Sequence, residues 1–138
     1  MIVQPYLFFE GCCEEAVNFY AKALGAEITM MLRVKDAPER PPEGAMPGLT
    51  DDKIMHASFR VGQTIVMASD GGCSQASEFK GFRLSITADT EADADRMFAA
   101  LAEGGSVDMP LGRTFFSPRF GMLTDRFGVG WMIVMDGQ

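Results

Sequence analysis

The stretch IMHASFR holds the chain's only histidine, His56. Histidine changes charge near neutral pH, so His56 could act as a general base or donate a hydrogen bond to a ligand. The ordinary alternative is a core or rim histidine bonded to a backbone carbonyl, and one histidine cannot make a metal site alone. Cys12, Cys13 and Cys73 offer a second kind of chemistry. An odd number with two adjacent fits no ordinary disulfide framework, which points to a reducing compartment. Cys13, near the start of a helix, could be an activated thiolate. Glu14 and Glu15 beside it oppose that by raising the thiol pKa, so a small buried or half-buried side chain is expected.

The carboxylates include close pairs: Glu14 with Glu15, Asp51 with Asp52, and the acids between positions 91 and 95. Helix starts favour acids, and no pair sits in an apolar run that would raise one pKa, so none is given a catalytic role. Asp70, Arg113 and Arg119 fall near strand ends where they could orient a polar ligand. Solvated surface charge is the competing reading, favoured for Arg113. No Gly-rich phosphate loop follows a strand and no Ser nucleophile elbow occurs; Asp70-Gly71-Gly72 reads as a turn.

These residues must be positioned by a duplicated frame. Residues 3–9 form a β-prone run, after which Cys13, Ala16, Val17, Tyr20, Ala23 and Leu24 recur at helical spacing until Gly25 supplies a stop, predicting a helix over 13–24. In residues 82–87 apolar Phe82, Leu84 and Ile86 alternate with polar neighbours. Thr90 with Asp93 then resembles a capping box, and Ala94, Met97, Phe98 and Leu101 predict a helix over 91–103. Each helix is followed by a strand candidate, a loop and a hairpin. Ile54–Val61 and Thr64–Ser69 flank Gly62-Gln63; Phe120–Thr124 and Gly130–Met135 flank a turn at 125–128, and the hairpins end on Asp70 and Asp136. Two β-α-β-β-β modules, about 1–72 and 79–138, account for the pattern. Residues 35–53, rich in proline and charge, read as a flexible rim.

Composition limits the function. A chain of 138 residues with 47% hydrophobic content is one domain able to bury a core without disulfides. Nineteen acidic against twelve basic residues give a net charge of −7, which disfavours nucleic acid and anionic membranes. No apolar run is long enough to cross a bilayer, and residues 1–5 lack a signal-peptide start, so a cytoplasmic protein is expected.

Together, "PYLFFEGCCEEAVNFYAKALGAE", "IMHASFRVG", "IVMASD" and "FGMLTDRFGVGWMI" resemble the PhnB-like branch of the vicinal oxygen chelate superfamily, which includes glyoxalase I, extradiol dioxygenases and bleomycin-resistance proteins. The resemblance implies an α+β fold whose curved mixed sheets form a cup, often in a homodimer. It also implies, for metal-using members, ligands on the first and last strand of each module. Those positions fall near Gln4 or Pro5, at Val66 or Met67, near Phe82, and at Met132; only Gln4 could offer an oxygen, so neither metal nor other cofactor is expected. Methyltransferase labels attached to PhnB-like sequences find no cofactor-binding glycine loop here.

Cavity candidates are then Tyr6, His56, Met67, Phe82, Phe116, Trp131 and Met132. Trp131 is the most specific, because a buried indole N–H needs a partner that a pocket wall can supply through water or ligand. The reading is a metal-independent small-molecule binding protein, dimeric, with no nucleic acid or membrane partner. The alternative is an isomerase, lyase or dioxygenase acting on a vicinal-oxygen substrate, with His56 as acid or base and an atypical metal site.

Overall fold

The structure, a computed structural model, describes residues 1–39, 50–71 and 77–136. The chain divides into two compact units, Met1–Ser77 and Glu78–Gln138. The first runs β1 (Tyr6–Phe8), α1 (Cys13–Leu24), β2 (Glu27–Arg33), a short 3₁₀ turn (Val34–Asp36), β3 (Ile54–Val61) and β4 (Thr64–Ser69). The second runs β5 (Leu84–Ala88), α2 (Glu91–Ala102), β6 (Ser106–Gly112), β7 (Phe120–Thr124) and β8 (Gly130–Met135). Each builds a four-stranded mixed sheet, ordered β1-β4-β3-β2 and β5-β8-β7-β6, with one parallel pair between its first and last strands. The fold is α+β, as the duplicated pattern predicts.

The helices form where apolar spacing and end signals coincide. In α1, Cys13, Ala16, Val17, Tyr20 and Ala23 are buried, and Gly25 closes the helix with φ 65°, a left-handed conformation glycine adopts without a Cβ clash. Tyr20 stacks on Phe59 of β3 with ring centroids 5.5 Å apart, joining helix to sheet. In α2, Thr90 caps the start by accepting from the Asp93 N–H at 3.0 Å. Where α2 crosses β7, Gly121 is required: a Cβ there would lie 2.7 Å from Cε2 of Phe98 and 2.9 Å from Cα of Leu111.

Strand pleat then sorts the side chains. Leu7, Ala57, Phe59, Val66 and Ala68 are buried on the α1 side, and Leu123, Trp131 and Ile133 are buried in the second unit. The alternate residues point to the other face, turned away from the helix.

The structure departs from the sequence pattern at two places. Phe82 lies outside β5, because the parallel ladder begins only at Leu84 opposite Trp131, just after β8 leaves its turn. Phe82 is therefore exposed instead of paired. The hairpin ends are also unlike: Asp70 is buried and Asp136 is exposed. Most of the proline-rich rim, residues 40–49, lies outside the described residues. Its flanks continue the β2–β3 pairing, with Val34 N–H donating to Lys53 O and Lys35 N–H to Asp51 O, both at 3.0 Å.

Candidate functional site

The first unit brings three of the expected residues, Tyr6, His56 and Met67, together on one face. Tyr6 of β1 is the register partner of Met67 on β4, and Met67 in turn faces Ser58 on β3. These side chains share the face turned away from α1. His56, two residues before Ser58 on β3, joins them: Tyr6 Oη and His56 Nδ1 lie 3.0 Å apart, with ring centroids separated by 5.5 Å and tilted by 40°. Phe8 extends the aromatic row, 4.8 Å from Tyr6, and is 52% exposed. Among the described residues, the other imidazole nitrogen of His56, Nε2, has no hydrogen-bond partner. Among the described residues no buried side-chain nitrogen or oxygen lacks a partner, so Nε2 reaches solvent. The result is a half-buried surface on which the aromatic rings and Met67 lie beside a solvent-reaching imidazole edge and the Ser58 hydroxyl, which is bonded to Thr29 Oγ1 at 2.6 Å.

The second unit repeats the geometry with different chemistry. Met132 of β8 sits between Ser85 of β5 and Met122 of β7, and Met122 partners Met109 of β6. Beside Met132 a surface cavity of about 510 Å³ is lined by Phe82, Arg83 and Thr124 among others. Arg83 forms part of its wall: Nη1 donates to Leu123 O and to Asp108 Oδ2, each at 2.9 Å. Gly130 makes room for this arginine, since a Cβ would meet Arg83 Cγ at 3.0 Å. Thr124 Oγ1 donates to the same Asp108 oxygen at 2.7 Å. The Thr124 hydroxyl, aided by Arg83, holds the Asp108 carboxyl below its ordinary range against a smaller opposing effect of desolvation.

Other expected site residues are placed elsewhere. Trp131 is in the core, and its indole N–H donates to Asp125 Oδ2 at 2.8 Å. The partner that a pocket wall was expected to supply is thus a carboxylate of the chain's own turn. Asp125 Oδ1 also accepts from Phe127 N–H at 2.8 Å and Val129 N–H at 3.1 Å, a role its turn position alone does not reveal. The available signal was an aspartate opening a tight turn shortly before a tryptophan on the following strand. Phe116 packs edge-on against Phe115 and Phe120 in an exposed loop and is not part of the cavity lining.

Asp70, a candidate for orienting a ligand, is buried and accepts from the Cys13 N–H at 2.8 Å and the Ile54 N–H at 2.5 Å. It ties the start of α1 to the start of β3. Cys13 is fully buried; burial first, then the charges of Asp70, Cys12 and Glu14, push its thiol far above the ordinary range, so it is no nucleophile. Cys12 donates its S–H to Phe9 O at 3.3 Å, and Cys73 lies outside the described residues. Arg119 forms ion pairs with Glu91 and Asp95, while Arg113 is exposed.

The strand register also refines the family's ligand positions. The row shared by first and last strands holds Tyr6 and Met67 in one unit and Ser85 and Met132 in the other; Val66 faces the helix side and Gln4 precedes β1. Two thioethers, a phenol and a serine hydroxyl do not suit a hard divalent ion, and the described residues contain no cluster of three His, Cys, Asp or Glu side chains.

A family described as 3-demethylubiquinone-9 3-methyltransferase matches residues 2–134. The chain is 34% identical to Protein YjdN of Escherichia coli, covering 96% of this chain and 94% of that one. It is 44% identical to protein PA1353 of Pseudomonas aeruginosa, covering 100% and 99% of the two chains with a TM-score of 0.85. The PhnB protein of Bacillus cereus is 31% identical over 98% and 99% of the chains, with a TM-score of 0.79. At 12% and 17% identity, FosX of Listeria monocytogenes and a glyoxalase-related enzyme of Fulvimarina pelagi share the fold, with TM-scores of 0.65 and 0.61.

Proposed function

Because this chain belongs to the family described as 3-demethylubiquinone-9 3-methyltransferase, the PhnB-like branch of the vicinal oxygen chelate superfamily, we propose that it is a metal-independent small-molecule binding protein. The observation that carries this reading is the Tyr6–His56 pair: a solvent-reaching polar group on a half-buried sheet face beside Met67 and Phe8. Such a surface recognises a flat, partly apolar molecule by contact area and orients it by one or two hydrogen bonds. The cavity beside Phe82 and Met132 supplies a second surface of suitable size, in which Phe79, Phe82 and Met132 lie beside Lys80, Arg83 and Thr124.

The family description implies a methyl-donor cofactor, and the residues present do not fit one. Strand-to-helix turns are where nucleoside cofactors dock in many folds, using free N–H groups at the helix start. Here the Cys13 N–H at the start of α1 is taken by the buried carboxylate of Asp70, and α2 is capped by Thr90.

We place the protein in the cytoplasm as a homodimer. Cys13 carries a free thiol, and the Cys12 S–H donates to Phe9 O. Met30, Val107 and Met109 expose apolar surface on strands, which a second copy would cover. The enzyme reading retains one favouring observation, since a Tyr hydroxyl beside Nδ1 orients the His56 ring as an acid or base would need.

Elemental analysis of dialysed, tag-free protein, combined with a thermal-shift ligand screen, separates the two. Binding without stoichiometric metal, lost in His56→Ala, is expected. One equivalent of zinc, nickel, iron or manganese would favour the enzyme. Light scattering should give the mass of two chains; the single-chain mass of about 15.0 kDa would refute the dimer.

A further inference from the structure

We infer that Tyr6 is a positioning residue that fixes His56 as the Nε2–H tautomer, so that the face turned away from α1 presents a hydrogen-bond donor and selects ligands carrying an oxygen acceptor, such as an aromatic carboxylate. The inference rests on the binding reading above and assigns its ligand class. A neutral imidazole has one N–H and one bare nitrogen, and the hydrogen bond made by one nitrogen decides the role of the other. Two arrangements satisfy the 3.0 Å contact between Tyr6 Oη and His56 Nδ1.

In the first, the phenol donates to bare Nδ1, which uses the hydroxyl proton and the nitrogen lone pair together. Nε2 then carries the proton at the edge that reaches solvent. In the second, Nδ1–H donates to the phenol oxygen, and the hydroxyl proton must find another acceptor. Tyr6 has no other hydrogen-bond partner among the described residues. The first arrangement pairs the hydroxyl proton with the Nδ1 lone pair and leaves Nε2–H at the solvent-reaching edge for a ligand. Phe8 beside Tyr6 and Met67 opposite it offer an aromatic ring and a polarizable thioether against which a flat ligand can lie.

The chain has a single histidine, so its ring nitrogens give unambiguous nitrogen-15 NMR signals. Uniformly labelled full-length protein at a pH where the ring is neutral should show one tautomer, with the proton on Nε2 and Nδ1 as acceptor. Tyr6→Phe, which keeps the ring and removes the hydroxyl, should release the ring to a tautomer mixture while leaving the Trp131 indole signal unmoved. Sodium benzoate should shift the Nε2 signal of the wild type, whereas benzamidine, equally flat but donor-only, should not. Tyr6→Phe should bind benzoate roughly fivefold more weakly, the ratio expected for one neutral hydrogen bond.

A wild-type ring protonated on Nδ1 overturns the inference, and so does a Tyr6→Phe protein that binds benzoate as well as the wild type. A mixed tautomer with benzoate still bound overturns the inference alone and leaves the binding reading standing. A ring locked as Nε2–H that ignores benzoate and the whole ligand screen overturns the ligand class and the binding reading together.

Discussion

Asp125 and Trp131 are joined by a 2.8 Å hydrogen bond from the indole N–H to the carboxylate, both side chains buried and both belonging to the hairpin that ends the second unit. The same carboxylate holds the Phe127 and Val129 N–H groups, so one residue shapes the turn and anchors the largest core side chain. Asp125→Asn keeps the shape but turns an amide donor toward one of these donors. It should lower unfolding stability by about 1 to 3 kcal/mol in urea titration. Adding Trp131→Phe should cost less in the Asp125→Asn background than in the wild type; equal costs in both would show that the pair is not coupled. Trp131→Ala should destabilise the whole domain, since it empties a core position.

Gly121 sits where α2 presses on β7. Gly121→Ala places a methyl group inside contact distance of the Phe98 ring and the Leu111 backbone, and only the ring can move. A loss of about 1 to 3 kcal/mol is expected from overpacking, partly recovered by Phe98→Leu. Thermal unfolding of the two single variants and the double variant checks this; a neutral Gly121→Ala would show that helix and strand separate easily.

Cys13 and Cys12 should differ in reactivity despite being neighbours. Cys13 is sealed by burial and surrounded by negative charge, which keeps its thiol protonated at neutral pH. Iodoacetamide on the native protein, read by peptide mass mapping, should modify Cys12 and spare Cys13 until denaturant is added. Equal labelling would mean that the start of α1 opens readily.

The Asp108 network should be visible on the acid side of the stability profile. Its folded pKa is depressed, so the unfolded chain takes up the proton first as pH falls. The contribution is therefore fully present above the ordinary carboxylate range, about 4, and is lost as pH drops through the lower folded value. Thr124→Val removes the largest cause, so wild type and variant should differ in melting temperature at neutral pH and converge in acid. A gap independent of pH would assign the effect to packing.

Local spacing alone determines much of this protein. The burial stripe of α1, its glycine stop, the Thr90 cap with Asp93, and both hairpins follow from residues close in the chain, because helix periodicity, capping and turns are satisfied within a few residues. The duplication is legible for the same reason. Tertiary structure decided what each strand face meets. Only the β1–β4–β3 register brings Tyr6 to His56, and only the late start of the β5–β8 ladder leaves Phe82 outside its strand. The need of Trp131 for a partner is evident from its chemistry, but whether a ligand or an aspartate meets it depends on how the turn folds back. Asp70 looks like any acid at a strand end until β4 carries it beneath α1, where two backbone N–H groups claim both its oxygens. Partners far apart in sequence are chosen by strand register and helix packing, and one chain read by itself does not encode those distances in its local pattern.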